Sequence, residues 1–306
     1  MALENFDLIV ERAKLSGKKN RVVIAGADAE NILLGTFEAQ EAGFATPVLV
    51  GEADKIVPML ERLGLKDQTY ELVETQPEEN VVQKAIDLVE QGQGDILMRG
   101  NTQTREFLIP LLDKKNGLRT DRLLTHIDLI KMPEYPKLIA IGDVTVTIEP
   151  NLNQKKEIIR NMVGTLKAAG YEKPNIALLS MVEQVSFHMK DTVEAQELVK
   201  EHKSKPIADC NLVGPIAYDL ILSKEAARLK GYDNPLCGDF DGIIVPSLLA
   251  GNLIVKCWQM HAHAKTCGVI EEDVGAKIPV ALTSRSDDKD VSFLSLAFCS
   301  ALPPRA

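Results

Sequence analysis

The sequence predicts an α/β chain of two lobes, built from parallel βαβ units. Three observations carry this reading. Short apolar runs recur that are continuous rather than alternating, as in Arg21-Val22-Val23-Ile24-Ala25-Gly26, the pattern of strands buried on both faces. Stretches with apolar residues three and four apart lie between them, as amphipathic helices require. The same alternation then resumes in the second half of the chain.

Taken in order, residues 21–26 form the first strand, and Asp28 is a possible N-cap for a helix reaching Ala42, stopped by Gly43. Pro47-Val48-Leu49-Val50-Gly51 is the next strand. Asn80 can cap a helix whose Val81, Val82, Ala85, Ile86 and Val89 share one face. Gly92 and Gly94 end it, and Asp95-Ile96-Leu97-Met98 returns as strand. Residues 123–132 and 138–146 read as adjacent strands joined by Pro133-Glu134-Tyr135-Pro136. Further strands are expected at residues 175–180, 241–246 and 278–283, and an apolar helix at 291–300. In sheets of this kind, ligands settle at the carboxyl ends of strands, where loops and helix N-termini supply donors.

The 306 residues suit one large domain or two ordinary ones, and 45% hydrophobic with 26% charged residues suits a full core. A formal net charge of -9 disfavours nonspecific attraction to nucleic acid or anionic lipid, so neither is expected as a partner. Positive groups facing a phosphorylated ligand must then be few and specifically placed. The densest apolar stretch, residues 243–255, is interrupted by Pro246, Ser247, Gly251 and Asn252, which argues against a membrane span. The opening Met1-Ala2-Leu3-Glu4-Asn5 lacks the layout of a signal peptide. Five cysteines, an odd number without a C-x-x-C pair, fit free thiols in a reducing cytoplasm.

Two strand-end turns are the candidates for chemistry. Leu282-Thr283-Ser284-Arg285-Ser286-Asp287-Asp288-Lys289-Asp290 places hydroxyls, a guanidinium and carboxylates between a strand and a helix. The Arg285 fork suits phosphate oxygens, and the helix N-terminus can add backbone donors. Equally, Ser286 or Asp290 can simply cap the helix while the charges stay solvated. Asp95-Ile96-Leu97-Met98-Arg99-Gly100-Asn101-Thr102-Gln103-Thr104-Arg105 has the same layout. Here Gly100 allows a ligand close to the backbone and Thr104 can bond a phosphate oxygen, although a solvated loop fits the pattern as well. A Walker loop and a G-x-G-x-x-G turn are both absent. Pro246-Ser247-Leu248-Leu249-Ala250-Gly251-Asn252 is a third strand-end turn, with Gly251 and Asn252 suited to tight backbone geometry and a structural default reading.

No metal site is expected. His261 and His263 point about 200° apart on a helix. Cys257 and His261 share a helical face, but two ligands are too few for zinc. His126 and His188 have no recognisable nucleophile partner, since a G-x-S-x-G elbow is missing. Trp258 reads as core.

Read together, several of these segments resemble the phosphate acetyl/butyryltransferase family over nearly the whole chain, the butyryl type most closely. They are Leu97-Met98-Arg99-Gly100 with Thr104, Gly117-Leu118-Arg119-Thr120, Ile148-Glu149-Pro150-Asn151-Leu152 and Leu179-Ser180-Met181-Val182-Glu183. Gly214-Pro215-Ile216-Ala217-Tyr218-Asp219, Glu225-Ala226-Ala227-Arg228-Leu229-Lys230-Gly231, Ala250-Gly251-Asn252 and Leu282-Thr283-Ser284-Arg285-Ser286-Asp287 complete the ordered set.

The resemblance implies a two-lobed, three-layer α/β/α fold of the isocitrate/isopropylmalate dehydrogenase type, with the active site in the interlobe cleft. The first lobe would comprise residues 1–145 plus 271–306 and the second 146–270. It implies acyl-CoA plus phosphate giving acyl phosphate plus coenzyme A by direct attack in a ternary complex, on a short or branched acyl group such as butyryl. It also implies a homodimer and no cofactor beyond coenzyme A as substrate or product. Ser284 would serve the oxyanion and Asp287 the thiol proton; Asp287 matches the butyryl-type position, and Asp290 lies nearer the acetyl-type one. Arg285, Arg99, Thr104 and Arg105 would bind phosphate. Gly100, Gly251 and Asn252 would bind coenzyme A.

Departures from the family pattern accompany this. Relatives commonly have Lys where Arg99 stands, and acetyl-type and several butyryl-type relatives carry arginine where Ile109 stands, so that phosphate contact is lost unless Arg105, one helical turn earlier, replaces it. Ser247 and Leu249 take the places of two acids, and Val213 stands where Asp is frequent. Apolar replacements of this kind fit larger acyl chains; they also fit an alternative, a non-catalytic acyl-CoA or acyl-phosphate binding protein. A dehydrogenase of the same fold class would need a metal-carboxylate set and a nicotinamide site, and neither is visible.

Overall fold

The computed structural model describes residues 2–116, 118, 120–270 and 276–302. Its elements run α1 (Phe6–Leu15), β1 (Asn20–Ala25), α2 (Glu30–Glu41), β2 (Ala45–Gly51), α3 (Ala53–Leu63), β3 (Glu71–Glu74), α4 (Val81–Glu90), β4 (Ile96–Arg99) and α5 (Thr104–Leu112). Next come β5 (Ile127–Lys131), β6 (Ile139–Gly142), α6 (Leu152–Ala168), β7 (Asn175–Leu179), α7 (Lys190–Ser204), β8 (Asn211–Ile216), α8 (Tyr218–Leu222), α9 (Lys224–Lys230) and β9 (Gly242–Ile244). The chain finishes with α10 (Leu248–His261), β10 (Lys265–Ile270), β11 (Val280–Ala281) and α11 (Lys289–Ala301).

These elements make a mixed α/β fold of two compact units. One comprises Phe6–Leu124 with Cys267–Ala306, the other Met1–Asn5 with Thr125–Thr266. The resemblance puts the change of lobe near 145 and 270. In the structure β5 and β6 lie in the Thr125–Thr266 unit, where β6 pairs with β9 through Ala140↔Gly242 and Ile141↔Ile243.

The Phe6–Leu124 unit holds strands in the order β3-β2-β1-β4-β11-β10. All neighbours run parallel except β10, which is antiparallel to β11. Its central strands are apolar without interruption because both faces are covered: Val22, Val23, Ile24, Val48, Leu49, Val50 and Leu97 are fully buried. Asn80 caps α4 as expected, its side chain accepting from the Val82 and Gln83 N–H groups at 3.1 Å. The cap expected at Asp28 is not formed. Ala29 occupies the N-cap of α2 without a side-chain bond, and the Asp28 carboxylate instead accepts from Asn101 Nδ2 at 3.1 Å. Helix α11 packs closely on α2 at Gly35, where a Cβ would stand 2.6 Å from the Lys289 carbonyl oxygen.

The Thr125–Thr266 unit holds strands in the order β5-β6-β9-β7-β8, parallel except for the β5–β6 pair. Its core gathers Ile139, Ile141, Ile243, Phe240 and Trp258. Trp258 is buried as expected, and its Nε1 donates to the Tyr218 hydroxyl at 2.5 Å.

Candidate active site

Strands β4 and β11 are parallel neighbours, with Leu97 opposite Val280 and Met98 opposite Ala281. Parallel strands release their chains at the same end, so both turns singled out in the sequence leave the sheet side by side. Arg99 joins them. Its guanidinium is buried; Nε and Nη2 donate to the Thr102 carbonyl at 3.0 and 2.7 Å, and Nη1 donates to the Thr283 carbonyl at 3.1 Å. Burial, and then the neighbouring Arg285 charge, lower the Arg99 pKa from its ordinary value, while Asp287 acts in the opposite sense. Arg285 and Asp287 therefore both lie within electrostatic reach of Arg99.

Gly100 follows at the tightest point of this region. Its N–H donates to the Ala25 carbonyl at 3.0 Å, and a Cβ here would lie 1.9 Å from the Gly26 carbonyl oxygen. The close approach that makes glycine necessary is thus made by the end of β1. Asn101 donates its N–H to the Gly26 carbonyl at 2.7 Å, and Gly26 has φ +82°. Thr102 is buried beside Gly26, and among the described residues its Oγ1 has no hydrogen-bond partner.

Thr104 is the first residue of α5 and is half-buried; Arg105 is exposed. The Glu106 carboxylate accepts from the Gln103 N–H at 3.2 Å, closing the helix start. Ile109 is 56% exposed four residues after Arg105, so the two share one face of α5.

The second turn is closed by its own side chains. The Ser284 N–H donates to Asp287 Oδ2 at 2.7 Å, and the Asp287 N–H donates to the Ser284 carbonyl at 3.1 Å. Asn31 on α2 donates from Nδ2 to the Asp287 carbonyl at 2.8 Å, anchoring the turn to the unit. The Ser284 and Ser286 hydroxyls are 3.0 Å apart. Neither Ser286 nor Asp290 caps α11; Asp288 does, accepting from the Val291 N–H at 3.1 Å. That leaves Ser284 and Asp287 half-buried and the Arg285 fork exposed.

Ser284, Arg285, Asp287, Arg99, Gly100, Thr104 and Arg105 are thus gathered on two adjoining turns of one unit. Two helices begin within a few residues of them, adding positive dipole ends to the guanidinium groups. Such a site suits an anion held by Arg285 beside a hydroxyl donor and a carboxylate.

Gly251 and Asn252 belong to the other unit. They lie within α10 rather than on a turn, because Ser247 caps that helix through the Ala250 N–H at 3.4 Å. A Cβ on Gly251 would meet Val245 Cγ2 at 2.9 Å and Val144 Cγ1 at 3.0 Å, and Asn252 Nδ2 donates to the Val144 carbonyl at 3.4 Å. Packing against the residues that follow β6 and β9 accounts for Gly251, and the bond to the segment after β6 accounts for Asn252. Sequence reasoning missed Asn31, Thr102 and Asp288. Thr102 and Asp288 did lie inside the two quoted turns, Asp288 as one of the five polar residues 284–288 before α11, while Asn31 left no signal.

Comparison with known proteins completes the description. The family described as phosphate acetyl/butaryl transferase matches residues 57–298. The chain belongs to this family. Phosphate acetyltransferase of Thermotoga maritima is 32% identical over 289 residues, covering 94% of this chain and 96% of its own length. Phosphate butyryltransferase of Clostridium acetobutylicum is 31% identical, covering 97% of this chain and 98% of its own. A branched-chain phosphotransacylase from Enterococcus faecalis superposes with a TM-score of 0.81 at 29% identity, over 92% of this chain and 98% of the other.

Every segment that carries the resemblance to the phosphate acetyl/butyryl transferase family falls inside the matched stretch. Of Gly117-Leu118-Arg119-Thr120, Gly117 and Arg119 lie outside the described residues. Asn151 is the N-cap of α6, accepting from the Gln154 N–H at 3.0 Å. Among the described residues, no helix is long and apolar enough to cross a membrane.

Proposed function

We propose that the chain transfers an acyl group between coenzyme A and inorganic phosphate, acting on a short or branched acyl group such as butyryl. The supporting observation is the adjoining pair of turns at the ends of β4 and β11, which puts the exposed Arg285 fork beside Ser284 and Asp287 in a member of a phosphate acyltransferase family. Phosphate at neutral pH is already a competent nucleophile, so the enzyme's task is to hold it against the thioester and screen its charge. Arg285 binds the phosphate, with Thr104 and Arg105 contributing from α5. A phosphate oxygen attacks the thioester carbonyl carbon, and Ser284 donates to the oxyanion that develops. The carbon–sulfur bond then breaks, releasing coenzyme A thiolate and acyl phosphate. In the reverse direction Asp287 accepts the thiol proton as sulfur attacks the acyl phosphate.

No cofactor beyond coenzyme A as substrate or product enters this scheme. Gly100, Gly251 and Asn252 stay with it as coenzyme A contacts, alongside their packing roles. A homodimer and a cytoplasmic location belong to the same reading, the latter resting on five free cysteines. Thiol release from butyryl-, isobutyryl- and acetyl-CoA, with and without phosphate, tests the function. Release that requires phosphate supports the reading, and its absence with all three thioesters rejects it. Sedimentation showing only monomer would reject the dimer.

A further inference from the structure

The backbone ladder between β4 and β11 is short, because β11 consists of Val280 and Ala281 alone. It stops three residues before Ser284. Beyond it Leu282 donates its N–H to Gly268 on β10, at 3.0 Å, and so turns its backbone donor away from β4. Arg99 bridges the interval on the β4 side. Three of its N–H groups reach two carbonyls, that of Thr283, immediately before Ser284, and that of Thr102, two residues before Thr104. The paired bonds to Thr102 use the planar fork of the guanidinium, which has five N–H donors in fixed geometry. With Arg99 only 5% exposed, these bonds offset the desolvation of the charge.

We propose that Arg99 is a positioning residue for acyl transfer, a buried clamp that sets the turn carrying Ser284 and Arg285 against the turn carrying Thr104. The inference rests on the acyltransferase reading above and departs from a direct phosphate contact by Arg99. It acts through Ser284, which directly follows the Thr283 carbonyl and whose placement relative to the reacting carbonyl governs the rate, while the Ser284–Asp287 bonds keep the Arg285 turn closed.

Kinetics of the full chain decide it, with Arg99→Ala and Arg99→Lys measured in the phosphate-dependent thiol-release assay and folding checked by thermal melting. Arg99→Ala lowers kcat about 100-fold while the phosphate KM stays within about twofold, the pattern of lost positioning without lost binding. Arg99→Lys, whose ammonium reaches the carbonyls without the fork, lowers kcat about tenfold with the same unchanged KM. A raised phosphate KM at constant kcat overturns the clamp, since it marks a direct phosphate contact. Both constants unchanged also overturn it. Should Arg99→Ala not fold, Arg99→Lys decides on the same split. An inactive wild-type chain rejects the acyltransferase reading itself, whereas an active wild type with unaffected Arg99 variants rejects only the clamp.

Discussion

Asp287 and Ser284 bond each other twice: the Ser284 N–H donates to the Asp287 carboxylate at 2.7 Å, and the Asp287 N–H donates to the Ser284 carbonyl at 3.1 Å. One carboxylate thus shapes the turn that presents Ser284 and Arg285 and also stands beside them as a proton acceptor. The two roles separate by substitution. Asp287→Asn keeps an oxygen acceptor for the Ser284 N–H and removes the charge. It is expected to melt like the wild type while losing about 100-fold or more in the direction that consumes coenzyme A thiol. Asp287→Ala also loses the acceptor and is expected to cost about 1 kcal/mol of stability. Wild-type kcat in Asp287→Asn would remove Asp287 from the chemistry.

Ser284 and Arg285 adjoin in sequence but are assigned different tasks, and steady-state constants distinguish them. Ser284→Ala should lower kcat about 100-fold with little change in either KM, as expected for a donor that acts on the developing oxyanion. Arg285→Ala should raise the phosphate KM more than the acyl-CoA KM. Equal effects on both substrates would contradict the phosphate assignment.

Along α5, Arg105 and Ile109 lie four residues apart on one face. Arg105→Ala should raise the phosphate KM, and adding Ile109→Arg should restore part of it by returning a guanidinium one turn along. No recovery in the double variant would show that the two positions do not serve the same anion.

Gly100 and Gly17 give a paired stability test. A Cβ on Gly100 would stand 1.9 Å from the Gly26 carbonyl oxygen, so Gly100→Ala must part the ends of β1 and β4. A loss of about 3 kcal/mol or more is expected in denaturant unfolding. Gly17 has φ +64° and open space around it, so Gly17→Ala costs only the left-handed strain, about 1 kcal/mol. Equal losses would contradict the packing argument.

Stability should also decline in alkali. Burial pushes the Cys210 thiol from 9.0 up to about 11, and burial likewise raises the Tyr135 and Tyr171 phenols. Each group holds its proton more tightly folded than unfolded. The contribution of Cys210 is therefore complete below pH 9 and lost as pH rises toward about 11. Melting temperatures measured across that range should fall. Under native conditions DTNB should label exposed Cys257 first, with buried Cys210, Cys237, Cys267 and Cys299 reacting on unfolding.

Much of the fold is legible in the sequence because its signals are local. The apolar run at 21–26 is β1 with its ends shifted by one residue, and Asn80 caps α4 through N–H groups two and three residues away. Long-range contacts decide what the sequence does not show. Asp28 looks like a cap, yet it bonds Asn101, a partner far along the chain. Among the polar residues before α11, only the helix start decides that Asp288 caps and Asp287 faces Ser284.

The candidate site divides in the same way. Two turns rich in arginine, serine and threonine can be recognised one by one, but their adjacency depends on β11 pairing with β4 across the intervening chain. Gly100 does signal a close approach, without revealing that the approaching group is the Gly26 carbonyl. Likewise Arg99 looks like a phosphate ligand at a strand end until burial and the Thr283 carbonyl give its guanidinium another task. Gly251 and Asn252 look like turn residues, but Ser247 starts α10 ahead of them.

Phosphorus NMR on a mixture of butyryl-CoA, phosphate and the wild-type chain, with free thiol counted in the same samples, tests acyl transfer most directly. The account predicts an acyl phosphate signal growing one for one with thiol, and no thiol release without phosphate. Thiol released without phosphate, or without acyl phosphate forming, would contradict it.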